Sequence, residues 1–201
     1  MTEESSLLGR VLRASTAAFV VGCPRPIVED GQALPEFGAL VKAARQNGDT
    51  VYGLIYDVTI QDDAFVRQLV AAAVETPEVL ADQRQKRQVP IEVGVLAAGY
   101  GRGLEVHHRL PPQPPGALDD VQTCNAAEVV RFTTRHDWLR TVLASQEVPA
   151  DQLIAAALRR AAEARPPGDR DAYLISAGRE LARLLSVDVV RLEGILRLLR
   201  D

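Results

Sequence analysis

The sequence predicts an α+β fold, with a β-rich first half that curls into a small barrel and a helical C-terminal segment. Three observations carry this. Short runs rich in β-branched residues and tyrosine fill much of the first 107 residues, and such residues suit a pleated, half-buried surface. Glycines fall inside those runs, at Gly38 and Gly53, where they permit the bends a small barrel needs. From residue 136 onward the pattern turns helical, with alanine, leucine and arginine at helical spacing.

The elements follow in order. Arg10–Ala14 alternates weakly and Ala18–Gly22 is a short apolar run, so both read as strands. Residues 23–35 hold three prolines and Gly31 and read as a loop. Phe37–Ala43 and Thr50–Val58 flank Gln46-Asn47-Gly48-Asp49. Asn-Gly between two β-rich runs predicts a hairpin, because its residues tolerate positive φ. Asp62-Asp63 marks a helix start, with helices expected over 64–74 and 78–88 and Pro90 ending the second. Ile91–Ala97 is a strand that alternates at first and then becomes continuously apolar. Gly99–Gly103 reads as a turn, and Leu104–His107 as the strand that pairs back.

Leu110–Gly116 holds four prolines and is expected to be an extended connector. A short helix and a strand are expected within 119–132, then helix over 136–145. Asp151–Ala164 is an alanine- and arginine-rich helix, broken at Pro166-Pro167-Gly168. Helices over 171–185 and 187–200 follow, with Ser186 as the expected cap between them. Leu185, Val189, Leu192, Leu196 and Leu199 form an a/d-type stripe. Packing within a helical hairpin explains it, and docking on a partner helix is the sharper alternative.

Composition excludes several function classes. The chain has 201 residues, is 47% hydrophobic and 25% charged, and so can bury a real core. Its only lysines are Lys42 and Lys86, and neither lies in a Gly-Lys-Ser/Thr phosphate loop, so this sequence is not by itself a P-loop ATPase. A net charge of −4 argues against tight non-specific nucleic-acid binding. The charge is uneven: residues 1–149 carry net −5 and residues 150–201 net +1. Cys23 and Cys124 are far apart in sequence and are expected to be buried thiols. Residues 1–6 are acidic and polar, unlike a secretory signal, and no apolar run is long enough to span a membrane. A soluble, cytoplasmic protein is expected.

The searches for chemistry find little. His107 and His108 are adjacent and would point to opposite sides of a strand, so they do not chelate one metal. Asp57, Asp62 and Asp63 are explained by capping as readily as by a cation. Ser176 lies in Leu-Ile-Ser-Ala-Gly, which lacks the first glycine of a nucleophile elbow and reads as helix interior. No catalytic, cofactor-binding or metal-ligating residues are assigned. The candidate partner interface is Arg84, Arg87 and Gln88, which share a helix face at i, i+3 and i+4, with His107, His108, Leu192, Leu196 and Leu199.

A family resemblance runs through these same residues. The segments Gly9–Thr16, Phe19–Gly22, Pro35–Val41 and Val51–Asp57 are similar to the HerA–ATP synthase barrel family, the HAS-barrel. Phe65–Gln68, Arg87–Val93 and His108–Pro115 resemble stand-alone bacterial members of it. The resemblance covers about residues 8–115 and leaves out the helical tail.

It implies a six-stranded β-barrel domain over 1–135 with a helical insertion at about 62–88, followed by a helical region over 136–201. In HerA-type translocases and rotary ATP synthase subunits such a barrel precedes the ATPase domain, packs beside its neighbours as a collar and, in the translocases, meets a nuclease. No catalytic residue belongs to the barrel. The expected function is a non-enzymatic assembly module, docking on itself or on a separately encoded HerA/FtsK-like ATPase or nuclease, in DNA processing. The alternative is a barrel that binds single-stranded nucleic acid or a small ligand, with Tyr52, Tyr56 and Tyr100 as the stacking candidates.

Overall fold

A computed structural model describes residues 5–23, 35–45, 47–60, 91–103 and 105–200. Among the described residues seven strands form one antiparallel sheet: β1 (Leu7–Ala14), β2 (Ala18–Cys23), β3 (Leu40–Ala44), β4 (Asp49–Ile60), β5 (Ile91–Arg102), β6 (Glu105–His107) and β7 (Asp120–Thr123). Their order is β2-β1-β7-β3-β4-β5-β6, and β2 also pairs with β5. That last pairing closes six strands into a barrel and leaves β6 as an appendage on β5. The α+β class and the six-stranded barrel are thus as expected.

The alternation of side chains explains why the central strands are apolar on both faces. In β4, Val51 and Ile55 point into the barrel while Tyr52 and Leu54 point out. In β5, Val93, Val95 and Ala97 point in while Leu96 and Ala98 point out. The inner set packs with Val11, Phe19, Val21, Val41 and Val121 to fill the barrel. The outer set is covered by helices, so both faces are removed from water and the runs read as continuous rather than alternating. Each fully buried side chain of this size contributes roughly 1.5–3 kcal/mol.

Five helices follow: α1 (Ala126–Thr133), α2 (Trp138–Leu143), α3 (Ala150–Glu163), α4 (Pro167–Leu184) and α5 (Val189–Leu198). Asn125 starts α1 with a reciprocal capping box: its side chain accepts from the Glu128 N–H while Glu128 accepts from the Asn125 N–H. α3 is central, packed against α2, α4 and α5. Its Leu153, Ile154 and Leu158 are fully buried with Phe132, Trp138, Leu139, Leu181 and Ile195.

Several boundaries differ from the sequence expectation. β5 runs through Gly99–Arg102, where a turn was expected, and Gly103, with a φ of +60°, is the described turn residue after it. The glycines there serve close approach: a Cβ on Gly99 would lie 2.6 Å from the His107 carbonyl oxygen. Phe37–Ala39 precedes β3 rather than forming it. Gly53 does sit at a register shift between β4 and β5. The prolines at 166 and 167 do not delay α4, because Pro167 occupies its first position, where no N–H is needed. The cap of α5 is Asp188, whose carboxylate accepts from the Arg191 N–H, and not Ser186. The helices expected at 64–74 and 78–88 lie outside the described residues.

Candidate functional site

Where β6 leaves the barrel it brings the two histidines to the helical layer. His107 and His108 diverge, as alternation requires. His107 lies over Tyr100, with ring centroids 4.8 Å apart. His108 turns the other way and meets Phe132 edge-on at 4.8 Å. Its Nε2 is 2.8 Å from the Phe132 carbonyl oxygen, which it reaches as an N–H donor. Its Nδ1 faces Asp137 at 3.8 Å. Burial holds the His108 pKa below the ordinary histidine value, against the opposing effects of the Phe132 carbonyl and Asp137.

These residues form one wall of a cleft of about 470 Å³. Arg109 continues that wall, donating to the Tyr100 hydroxyl at 2.9 and 3.2 Å. The α1–α2 junction supplies Arg135 and Asp137, paired at 2.6 Å, and α2 supplies Arg140. α4 supplies Glu180 and Arg183, joined by two hydrogen bonds of 2.5 and 2.8 Å. Those hydrogen bonds hold the Glu180 carboxyl below the usual carboxylate range and raise the Arg183 guanidinium. Four guanidiniums therefore line a space with two carboxylates and the imidazoles of His107 and His108. The cleft is net positive on a chain that is net negative.

Behind its rim, the His136 Nε2 lies 3.1 Å from the Ser176 hydroxyl. The His136 Nδ1 is buried with no hydrogen-bond partner among the described residues. Among the described residues no acid hydrogen-bonds the ring, so the third member of a hydrolytic triad is not found there, and Ser176 sits within α4. Burial lowers the His136 pKa.

A second, smaller hollow of about 210 Å³ lies where β3, β4 and α1 meet. Lys42 Nζ is 2.5 Å from a Glu128 oxygen, and Ser5 bonds both at 3.0 and 3.1 Å. Burial raises the Glu128 carboxyl, but the hydrogen bonds from Lys42, the Asn125 N–H and Ser5 outweigh it and hold the pKa below the usual range. Arg131 donates to the Tyr52 hydroxyl at 2.8 Å. Through the Lys42–Glu128 pair this cluster ties β3 to α1.

The other sequence candidates are dispersed. Leu192 and Leu199 are half-buried and packed against the helical core, and Leu196 is half-buried. Ile195, between the stripe positions, is fully buried, while Val189 is 65% exposed. Arg84, Arg87 and Gln88 lie outside the described residues, as do Asp62 and Asp63. Tyr52 and Tyr100 are buried, and Tyr56 is half-buried. Cys23 lies inside the barrel and Cys124 on its helix-covered side, both as free thiols; burial pushes Cys23 up to about 11 and Cys124 higher still. Among the described residues no helix is long and apolar enough to cross a membrane. Sequence reasoning missed Arg109, Arg135, Asp137, Arg140, Glu180 and Arg183. The i, i+3 spacing of Glu180 and Arg183 signals their pairing, but nothing local signals the cleft.

Compared with known proteins, the chain matches no family model and no curated protein.

Proposed function

We propose that this chain is a non-enzymatic assembly module that docks on itself or on a separately encoded HerA/FtsK-like ATPase, in DNA processing. The reading joins the sequence resemblance to one structural observation. The barrel interior is filled by its own aliphatic side chains, and one outer face is given over to the helices. The strand β1 on another side carries exposed leucines, Leu7 at 52% and Leu12 at 48%. Beside it, Leu118 donates its N–H to the Val11 carbonyl and is 67% exposed at a φ of +68°. A leucine in that left-handed region costs about 1–2 kcal/mol, and at 67% exposure its packing among the described residues is slight. An exposed, strained leucine bonded to β1 next to the exposed Leu12 supports a contact surface.

The test is direct. The purified chain is mixed with a HerA/FtsK-like ATPase from the same organism, and mass is measured by light scattering with and without it. Wild type is expected to self-associate or to bind the ATPase. The double variant Leu12→Glu, Leu118→Glu is expected to lose that contact while keeping its melting temperature. A strict monomer at high concentration that ignores the ATPase would overturn the proposal.

A further inference from the structure

We infer that the cleft between β6, the α1–α2 junction and α4 binds a small phosphorylated molecule, gripping its phosphoryl group with the arginine forks. This goes beyond the assembly reading and does not depend on it.

The charge balance comes first. Arg109, Arg135, Arg140 and Arg183 outnumber Asp137 and Glu180 by two in the same cleft. Among the described residues Arg140 makes no ion pair. The two pairs that do form are open to water: Arg135 is 73% and Arg183 61% exposed. A single-contact exposed pair holds its partner weakly, so the Arg135 guanidinium can turn to a ligand at small cost, while Arg183, whose fork is engaged by Glu180 through two hydrogen bonds, offers its remaining N–H groups.

The shape of the donor set selects the anion. A guanidinium presents a planar fork that matches two oxygens at once. Here the forks come from four separate pieces of chain: the segment after β6, the α1–α2 junction, α2 and α4. A carboxylate has two oxygens and satisfies one fork. A phosphoryl group or a diphosphate presents three or more and can bridge several. The volume, about 470 Å³, exceeds what a bare phosphate fills and falls in the range of small-molecule sites. Among the described residues no Phe, Tyr or Trp lines the cleft as a stacking platform for a strand of bases. Tyr100, the tyrosine behind the His107–Arg109 wall, is buried under His107 and Arg109. Recognition therefore runs through the anion and not through bases.

The probe is inorganic pyrophosphate, titrated calorimetrically into the full chain, with orthophosphate, citrate and an unphosphorylated single-stranded oligonucleotide alongside. Saturable pyrophosphate binding is expected, weaker binding of orthophosphate, and little of citrate or the oligonucleotide. Arg140→Gln and Arg183→Gln should each weaken pyrophosphate about tenfold, the equivalent of one charge-assisted hydrogen bond. Arg140→Lys should be weakened nearly as much, because it keeps the charge and loses the fork. Arg10→Gln, an exposed arginine outside the cleft, should bind as wild type. Circular dichroism confirms that each variant is folded, and the wild-type titration stands without them. No saturable pyrophosphate binding, citrate or oligonucleotide binding as tight as pyrophosphate, or an equal loss in Arg10→Gln would each overturn the inference.

Discussion

Gly38→Ala tests whether the helical layer is seated on the barrel as described. Gly38 has a φ of +81°, and a Cβ placed there would lie 2.6 Å from the Ala156 Cβ and 3.0 Å from the backbone of α3. Gly48, in the β3–β4 hairpin, has almost the same φ, +82°, with nothing within 4 Å of its added Cβ. The two substitutions share the left-handed backbone penalty of about 1–2 kcal/mol, reduced by roughly 0.4–1 kcal/mol through the stiffer unfolded chain. Only Gly38→Ala adds an overpacking cost, typically about 1–3 kcal/mol. Gly48→Ala should thus cost up to about 1.5 kcal/mol and Gly38→Ala about 1–4.5 kcal/mol, the larger cost by the overpacking term. Urea unfolding followed by circular dichroism measures both, provided the transition is two-state. Ala156→Gly in the Gly38→Ala background removes the contacted methyl. The double-mutant cycle should then show a favourable coupling of about 0.5 kcal/mol or more. Equal costs for the two glycines, with no coupling to Ala156, would refute the docking of α3 against the segment entering β3.

Three further outcomes follow from the same geometry. Glu128→Gln leaves the Lys42 ammonium, 18% exposed, without its carboxylate, and should cost about 1–3 kcal/mol in urea unfolding; because the native Glu128 pKa is depressed, its stabilisation is present above the usual carboxylate range and lost as pH falls through it, so the variant's acid limb should be flatter. His108 and His136 have native pKa values held below 6.5, so their contribution is fully present above that pH and is lost as pH falls below it; melting temperature should drop between about pH 7 and pH 5, and His108→Gln should shallow that drop. Ile195→Ala should cost about 2–5 kcal/mol, whereas Val190→Ala, at a site 83% exposed, should fall within about 0.5 kcal/mol of wild type in thermal melts.

What was legible in the sequence was local. Asn47-Gly48 announces the β3–β4 hairpin because the turn chemistry lies within the turn, with the Asn47 side chain accepting from the Asp49 N–H. The β-branched runs of β4 and β5 are likewise self-declaring. Gly99 and Gly101 misled because glycine marks both turns and close approach, and only the partner strand tells which. The leucine stripe of α5 is real but rotated: Ile195 takes the buried centre and Val189 faces solvent, since α5 packs into a helical layer and not along a two-helix seam. The cleft was not legible. Its arginines come from the segment after β6, the α1–α2 junction, α2 and α4, and only the histidines of that wall stood out by residue type.

The barrel and the cleft nevertheless have a common origin in β5. Its twelve residues pair with β4 along almost their whole length, but on the other edge they serve two strands in turn. Ile91–Leu96 pair with β2 and close the barrel; Tyr100–Arg102 pair with β6. An edge used wholly for closure would leave no place for β6, and His107–Arg109 would not reach the helices. At the changeover sits Gly99, whose missing side chain lets the His107 carbonyl and the Phe132 ring approach the strand together. Phe132 in turn accepts from His108 and lies in the helix that leads into Arg135 and Asp137. The residue that misread as a turn is therefore the point where barrel closure ends and the cleft begins, so a side chain there would disturb the cleft wall before it disturbed the barrel.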